Sequence, residues 1–285
     1  MTQDQWKLVV DQQGVTIANG QFRLTANGPN STRSELLSPE DALAEVADSG
    51  RMEAIISQLQ TVTRRNYGQF CGLSRALEMV GERWALLIIR DLLVSPKSVA
   101  DLRRGFPRIP DSTLTTRLAE LERSGIVRTR TDTSAPDSPV YELTPYGGEL
   151  EEIVCRFALW GAQRLGDPRP EDVVTVDSAI MAMRSTFRAE AARGLRANFE
   201  LRLPGEMIIN ARVADGAVAA GAGPLPDADL VVEPGTALKD LLTGELKPAD
   251  ALDDGTVRIT GDPALLDRFV EVFRIPELAP APLPA

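Results

Sequence analysis

Histidine is absent from all 285 residues. Its absence removes imidazole chemistry, and with it most zinc sites and every histidine-dependent triad or acid–base relay. Cysteine is almost as scarce. Cys71 and Cys155 are the only two, too few for a disulfide framework. No apolar run approaches the roughly 18 residues that a membrane span needs, and the opening Met1–Leu8 lacks a signal peptide's apolar segment. These absences lead us to expect a cytoplasmic protein with no metal, no cofactor and no catalytic constellation. What is present is ordinary for a globular chain, with 43% hydrophobic and 25% charged residues, and the length suits two or three domains.

The net charge of −10 is distributed unevenly. Residues 1–63 hold four basic and eight acidic side chains, residues 64–166 hold fifteen and thirteen, and residues 167–285 hold twelve and twenty. Between Lys97 and Arg130 the balance reverses to eight basic against four acidic. For phosphate binding a local positive patch matters more than the total.

That patch coincides with the most structured motif in the chain, Val99 to Gly125. A short amphipathic helix is followed by a turn containing Pro107 and Pro110, then by a second helix over about Ser112 to Arg123. Leu114, Leu118 and Leu121 fall at i, i+4 and i+7, so they share one face of that helix and turn inward. Ser112, Thr113, Thr116 and Arg123 are left for its first turn and opposite face. Two such helices are either an ordinary helical hairpin or a helix-turn-helix. The next residues favour the second. Ile126–Arg130 and Val140–Leu143 read as strands around a turn-rich loop, Thr131–Pro139, which is the pattern of a wing lying along a phosphate backbone.

Base contacts are therefore expected from Ser112, Thr113, Thr116 and Arg117. Backbone contacts are expected from Arg103, Arg104, Arg108, Arg128 and Arg130, with Arg123 also near the backbone. Trp84–Val94, nearly all apolar, reads as a buried helix. Beyond the wing, Thr144–Pro145 opens a helix to about Leu165 on which Leu150, Ile153, Phe157 and Trp160 recur at heptad-like spacing. Such a stripe either packs within its own chain or meets a symmetry mate, and a homodimer suits double-stranded DNA with two half-sites.

On either side of this middle segment the chain is acidic. In the first 63 residues the alternation of Trp6, Leu8, Val10, Val15, Ile17, Phe22 and Leu24, with a hairpin signal at Asn19–Gly20, predicts a three-stranded meander. A loop at Gly28–Thr32 and helices from Ser38 and from about Arg51 to Thr63 are expected next. After the Gly166–Pro170 linker, a helix over Asp177–Gly194 precedes a run of strands. Short helices and a last strand follow, ending in a helix over Pro263–Phe273. Together these make an α+β region. The Pro/Ala-rich tail from Pro276 to Ala285 is expected to be disordered.

Two resemblances follow from these motifs. Cys71-Gly-Leu-Ser-Arg-Ala-Leu, Gly81-Glu-Arg-Trp-Ala-Leu-Leu-Ile-Ile-Arg90, Leu102-Arg-Arg-Gly-Phe-Pro107, Leu114-Thr-Thr-Arg-Leu-Ala-Glu-Leu-Glu122, Gly125-Ile-Val127 and Tyr141-Glu-Leu-Thr144 resemble the HxlR family of bacterial winged-helix transcriptional regulators. The match spans about residues 67–165. It implies a winged helix-turn-helix over 64–166 and makes 1–63 an extension. Where that family often has Ser-Pro at the start of the recognition helix, this chain has Pro110-Asp111, so Asp111 is expected as the cap. The resemblance also makes Cys71 a candidate oxidant- or electrophile-sensing thiol, the alternative being a small residue packed near a helix start; Cys155 is expected to be packing. The order Asp227–Val232, Leu241–Leu252 and Val257–Asp262 resembles a sterol-carrier (SCP2-like) domain. Over 167–275 that implies an apolar tunnel for a hydrophobic small molecule or lipid, or a descendant whose tunnel is filled. The fold class expected is thus α+β multidomain, and the function a dimeric, ligand-controlled DNA-binding regulator. The alternative is a lipid carrier that uses its winged helix as a protein-interaction module.

Overall fold

The computed structural model describes residues 6–11, 14–18, 23–26, 33–37, 67–132 and 135–276. They form two compact units, residues 1–78 and 79–285.

The first unit holds a four-stranded antiparallel sheet in the order β3-β2-β1-β4, from β1 (Trp6–Asp11), β2 (Gly14–Ala18), β3 (Arg23–Ala26) and β4 (Arg33–Leu37). The strands β1 and β2 pair with Leu8 opposite Ile17. The fourth strand is an addition, pairing Trp6 with Leu37 and Val10 with Arg33. Its sequence, Arg-Ser-Glu-Leu-Leu, does not alternate, so nothing local announced it. The helices expected from Ser38 and Arg51 lie outside the described residues. Helix α1 (Gly72–Val80) runs across the boundary between the units.

In the second unit, α2 (Ala85–Val94) is buried along one face, with Ile88 and Ile89 fully enclosed, while Leu87 is exposed. Asp91 is equally buried. One carboxylate oxygen is held by Arg90 at 2.7 Å, and burial pushes its carboxyl above the usual range. Helix α3 (Val99–Gly105) starts with a reciprocal cap: the Ser98 hydroxyl accepts from the Asp101 amide, and the Asp101 carboxylate accepts from the Ser98 amide. Helix α4 (Asp111–Arg123) corrects the expected cap. Pro110 holds the extended capping position and Asp111 is the first helical residue, paired with Arg103 at 2.5 Å.

The wing consists of β6 (Val127–Asp132) and β7 (Ala135–Leu143), longer than the sequence suggested. Pro136 and Pro139 are tolerated because neither β5 (Lys97–Ser98), the third strand, nor β6 is in register with them: β5 pairs at Val140 and Tyr141, and the β6 register shifts from Arg130↔Val140 to Asp132↔Ala135. The helix expected from Pro145 is divided into α5 (Pro145–Gly148) and α6 (Leu150–Ala162).

Helix α7 (Val176–Thr186) ends eight residues before the expected Gly194. Tertiary pairing overrides helical propensity there: Phe187 forms a β-bridge with Phe273, and the Arg188 amide donates to the Val272 carbonyl at 2.7 Å. A five-stranded sheet follows in the order β10-β9-β8-β11-β12. Its strands are β8 (Arg196–Leu203), β9 (Met207–Ala214), β10 (Ala217–Ala222), β11 (Leu230–Glu233) and β12 (Arg258–Gly261). Only the β8–β11 pair is parallel. Helices α8 (Leu238–Thr243), α9 (Pro248–Asp253) and α10 (Ala264–Val272) complete the region. Phe199, Phe269 and Phe273, all fully buried, have ring centroids 5.0 to 6.2 Å apart and fill the space between the sheet and α10. Beyond Pro276 the expected tail lies outside the described residues.

Candidate DNA-binding face

Helix α4 is held by Leu114, Leu118 and Leu121, each at most 1% exposed, on the core of α2, α3 and Ile126. This anchoring fixes which side chains face out. Ser112 and Thr116 are exposed and Thr113 is half-buried. Thr115 and Ala119 share the exposed face, and the sequence reading missed both. Their positions relative to Ser112, i+3 and i+7, were the available signal. The hydroxyls of Thr116 and Thr115 donate to the carbonyls of Ser112 and Asp111 at 2.7 and 3.0 Å. Each Oγ1 thus keeps its lone pairs to accept from a further donor.

Arg117 sits differently. Its side chain is 18% exposed, bonded to Glu120 and 3.5 Å from Glu82, and it lies beside the core rather than on the hydroxyl face. Arg123 is exposed at the far end of the helix.

The backbone-contact candidates flank this face, mostly in pairs. Arg103 is held by Asp111 and Arg104 by Asp101. On the wing Arg128 and Arg130 share Glu142, at 2.7 and 3.3 Å. Both guanidiniums stay more than half exposed while Glu142 is 16% exposed. Exposed ion pairs of this kind contribute only about 0–1 kcal/mol, so a phosphate can replace the carboxylate. Among the described residues Arg108 and Arg123 have no ion pair. Glu122 ties the end of α4 to the wing, accepting from the amide and hydroxyl of Thr129 at 3.1 and 2.7 Å.

On α6 the expected stripe separates into two parts. Leu150 packs on its own winged-helix core. Ile153, Phe157 and Trp160 are 59%, 57% and 66% exposed, with the two rings stacked at 5.6 Å.

Cys71 is exposed and occupies the cap of α1, its carbonyl accepting from the Arg75 amide at 3.1 Å. The amides of Ser74 and Leu73 hold its thiol below the usual range. Cys155 is half-buried, and burial pushes its thiol up.

A helix-turn-helix of the HxlR-like type matches residues 79–168. The HTH-type transcriptional regulator YtcD of Bacillus subtilis (strain 168) is 34% identical over 89 residues, which make up 31% of this chain and 71% of that protein. The chain belongs to the HxlR-like helix-turn-helix family. Rv3095, an HTH-type transcriptional regulator of Mycobacterium tuberculosis (strain ATCC 25618 / H37Rv), is 37% identical over 99 residues, covering 35% of this chain and 61% of its own length. The crystal structure of ytcD superposes with a TM-score of 0.32 at 31% identity, over 34% of this chain and 100% of that one. The protein is thus an HxlR-type, DNA-binding transcriptional regulator with a winged helix-turn-helix, and its relatives are regulators rather than enzymes. Among the described residues no helix is long and apolar enough to cross a membrane.

Proposed function

We propose that this HxlR-family protein acts in the bacterial cytoplasm as a homodimer that reads a specific DNA site with α4. The observation that carries this reading is the hydroxyl-lined outer face of α4, set between the arginines of α3 and those of the wing. Ser112, Thr113 and Thr116, with Thr115 beside them, contact base edges. Arg103, Arg104, Arg108, Arg123, Arg128 and Arg130 contact phosphates, and Arg117 orients the helix from its inner edge. Ile153, Phe157 and Trp160 meet their symmetry copies in the dimer. Fluorescence anisotropy on the protein's own promoter, across a series of single base-pair changes, tests the assignment. Thr116→Ala is expected to lose roughly 1–3 kcal/mol at one base pair and little elsewhere. Arg130→Ala is expected to weaken all sequences alike and to lower the salt slope by about one. A Thr116→Ala protein with an unchanged base-pair profile defeats the first assignment.

Cys71 is proposed as the oxidant- or electrophile-sensing thiol. A lowered thiol is more ionised at neutral pH, and the thiolate is the nucleophile. At pH 7 iodoacetamide should therefore modify Cys71 at least about tenfold faster than Cys155, as read by peptide mass spectrometry. Equal rates defeat the proposal.

Residues 167–275 are proposed as a sterol-carrier-like input module answering to a hydrophobic small molecule. The reading is supported by α7, which packs on α2, α6 and β10. Arg184 on α7 donates to the Leu93 carbonyl and to Glu151, both at 3.1 Å. Native mass spectrometry of the gently purified full chain, with a co-purified apolar ligand as the expected result, tests it.

A further inference from the structure

A cleft of about 710 Å³ opens where the winged helix meets the C-terminal region. Ligand sites favour such junctions, and volumes of about 300–1,000 Å³ suit small organic molecules. One wall is formed by Val94, Lys97 and Arg104, the other by Asp177 and Ile180 of α7. The floor is Ala220–Gly221–Ala222 of β10. These residues carry at most a methyl group, and β10 is an edge strand of its sheet. The result is a ledge of small side chains along the sheet edge.

Four charged side chains line the cleft, and their formal charges cancel. Their accessibility and engagement differ. Asp101 is fully engaged: one oxygen takes the amide and hydroxyl of Ser98, the other takes Arg104. Arg104, with its side chain 73% exposed, spends one of its five N–H donors on Asp101. Lys97, 11% exposed, spends two of its three, on Asp177 at 2.9 Å and on the Ser95 hydroxyl at 3.1 Å. Asp177 spends one oxygen on Lys97 and its side chain is 19% exposed, so the most accessible unspent group is the Arg104 guanidinium, with four N–H donors left beside the small-residue floor.

We propose that this cleft binds a planar apolar carboxylate, its ring on the Ala220–Ala222 ledge and its carboxylate on Lys97 and Arg104. The ligand then competes with Asp177 for Lys97. Lys97 lies in β5, which pairs with the wing strand β7, so the Lys97–Asp177 bridge joins the wing's base to α7. Arg104 is also one of the phosphate contacts proposed above. Occupancy is thus expected to weaken DNA binding, a consequence that rests on the DNA-reading assignment, whereas binding to the cleft does not.

Titration calorimetry of the full chain with 2-naphthoate as the probe, beside its neutral amide, tests the site. The acid should bind one per chain, and the amide at least about tenfold more weakly. Lys97→Met should abolish binding, as should Ala220→Leu, which fills the ledge but leaves every charge in place. Asp177→Asn should tighten binding, because it removes the competitor. Circular dichroism confirms that each variant is folded. Equal affinity for acid and amide, or binding unchanged by both Lys97→Met and Ala220→Leu, overturns the site. Anisotropy with promoter DNA is measured separately. A protein that binds DNA but does not release it on saturation with 2-naphthoate overturns the coupling alone. A protein that binds 2-naphthoate as described but no DNA overturns the reading of α4 and supports the cleft.

Discussion

Replacing Phe157 and Trp160 together by glutamate is expected to leave a folded monomer that has lost high-affinity DNA binding. Both rings stand more than half exposed on α6 and stack on each other, with Ile153 one turn before them. An isolated chain gains little from keeping three large apolar groups in water. Burying one such side chain contributes roughly 1.5–3 kcal/mol. A two-fold interface buries each residue twice, because the same patch faces itself. Glutamate at both positions removes that gain and sets like charges against each other across the axis. The DNA consequence is larger still. Two reading heads about 34 Å apart bind as one bivalent unit, and separating them forfeits roughly 10²–10⁴ in avidity. Light scattering coupled to size exclusion reads the mass, circular dichroism the fold, and anisotropy the affinity. Because neither ring supports the chain's own core, the thermal transition of each chain should survive. A double variant that stays dimeric defeats the proposed interface.

The same helices show why some of this could be read from sequence and some could not. Leu114, Leu118 and Leu121 obey a local rule, three apolar residues on one helical face, and all three are buried. Once that face is fixed, the exposure of Thr115 and Ala119 follows from the same helical spacing. Arg117 is another matter. Its carboxylate partner Glu82 lies 35 positions away in the turn before α2, and no local pattern links the two. Charge spacing in the sequence marks an arginine as available, but only the folded chain says what already holds it. The shared Glu142 on the wing makes the same point.

Long-range pairing accounts for the remaining differences. Residues 177–194 look helical throughout, yet Phe187 leaves the helix to bridge Phe273, far away in sequence. The two-residue strand β5 is too short to show a period at all, and exists because the backbone of β7 passes beside it. The open cleft, likewise, is assembled from residues 94 through 222, a span no local motif covers.

A single methyl group at Gly147 should do more damage to the chain than most surface substitutions. Thr144 caps α5 by accepting from the Gly147 amide at 3.1 Å, and its own amide donates to the Ile126 carbonyl at 3.0 Å. Its hydroxyl also donates to the Gly125 carbonyl at 2.6 Å. These bonds draw the first turn of α5 against the entry to the wing, so a Cβ on Gly147 would lie 2.1 Å from the Ile126 carbonyl oxygen. That obstacle is backbone, and Ile126 itself is 1% exposed, so no flexible side chain can yield. Relief requires moving either the wing strand or α5, and either movement strains the Thr144 bonds. Gly147→Ala is therefore expected to cost about 1–3 kcal/mol or more. It should also weaken binding to all DNA sequences together, because the wing carries Arg128 and Arg130. Gly148→Ala is the control, one residue along the same turn with open space where its methyl would go. There alanine restricts the unfolded chain at no steric cost and should add about 0.4–1 kcal/mol. Urea unfolding of the two variants beside the wild type gives both values. Opposite signs are the expected result, and a Gly147→Ala protein as stable as Gly148→Ala would show that the contact between α5 and the wing is not as close as the Thr144 bonds make it.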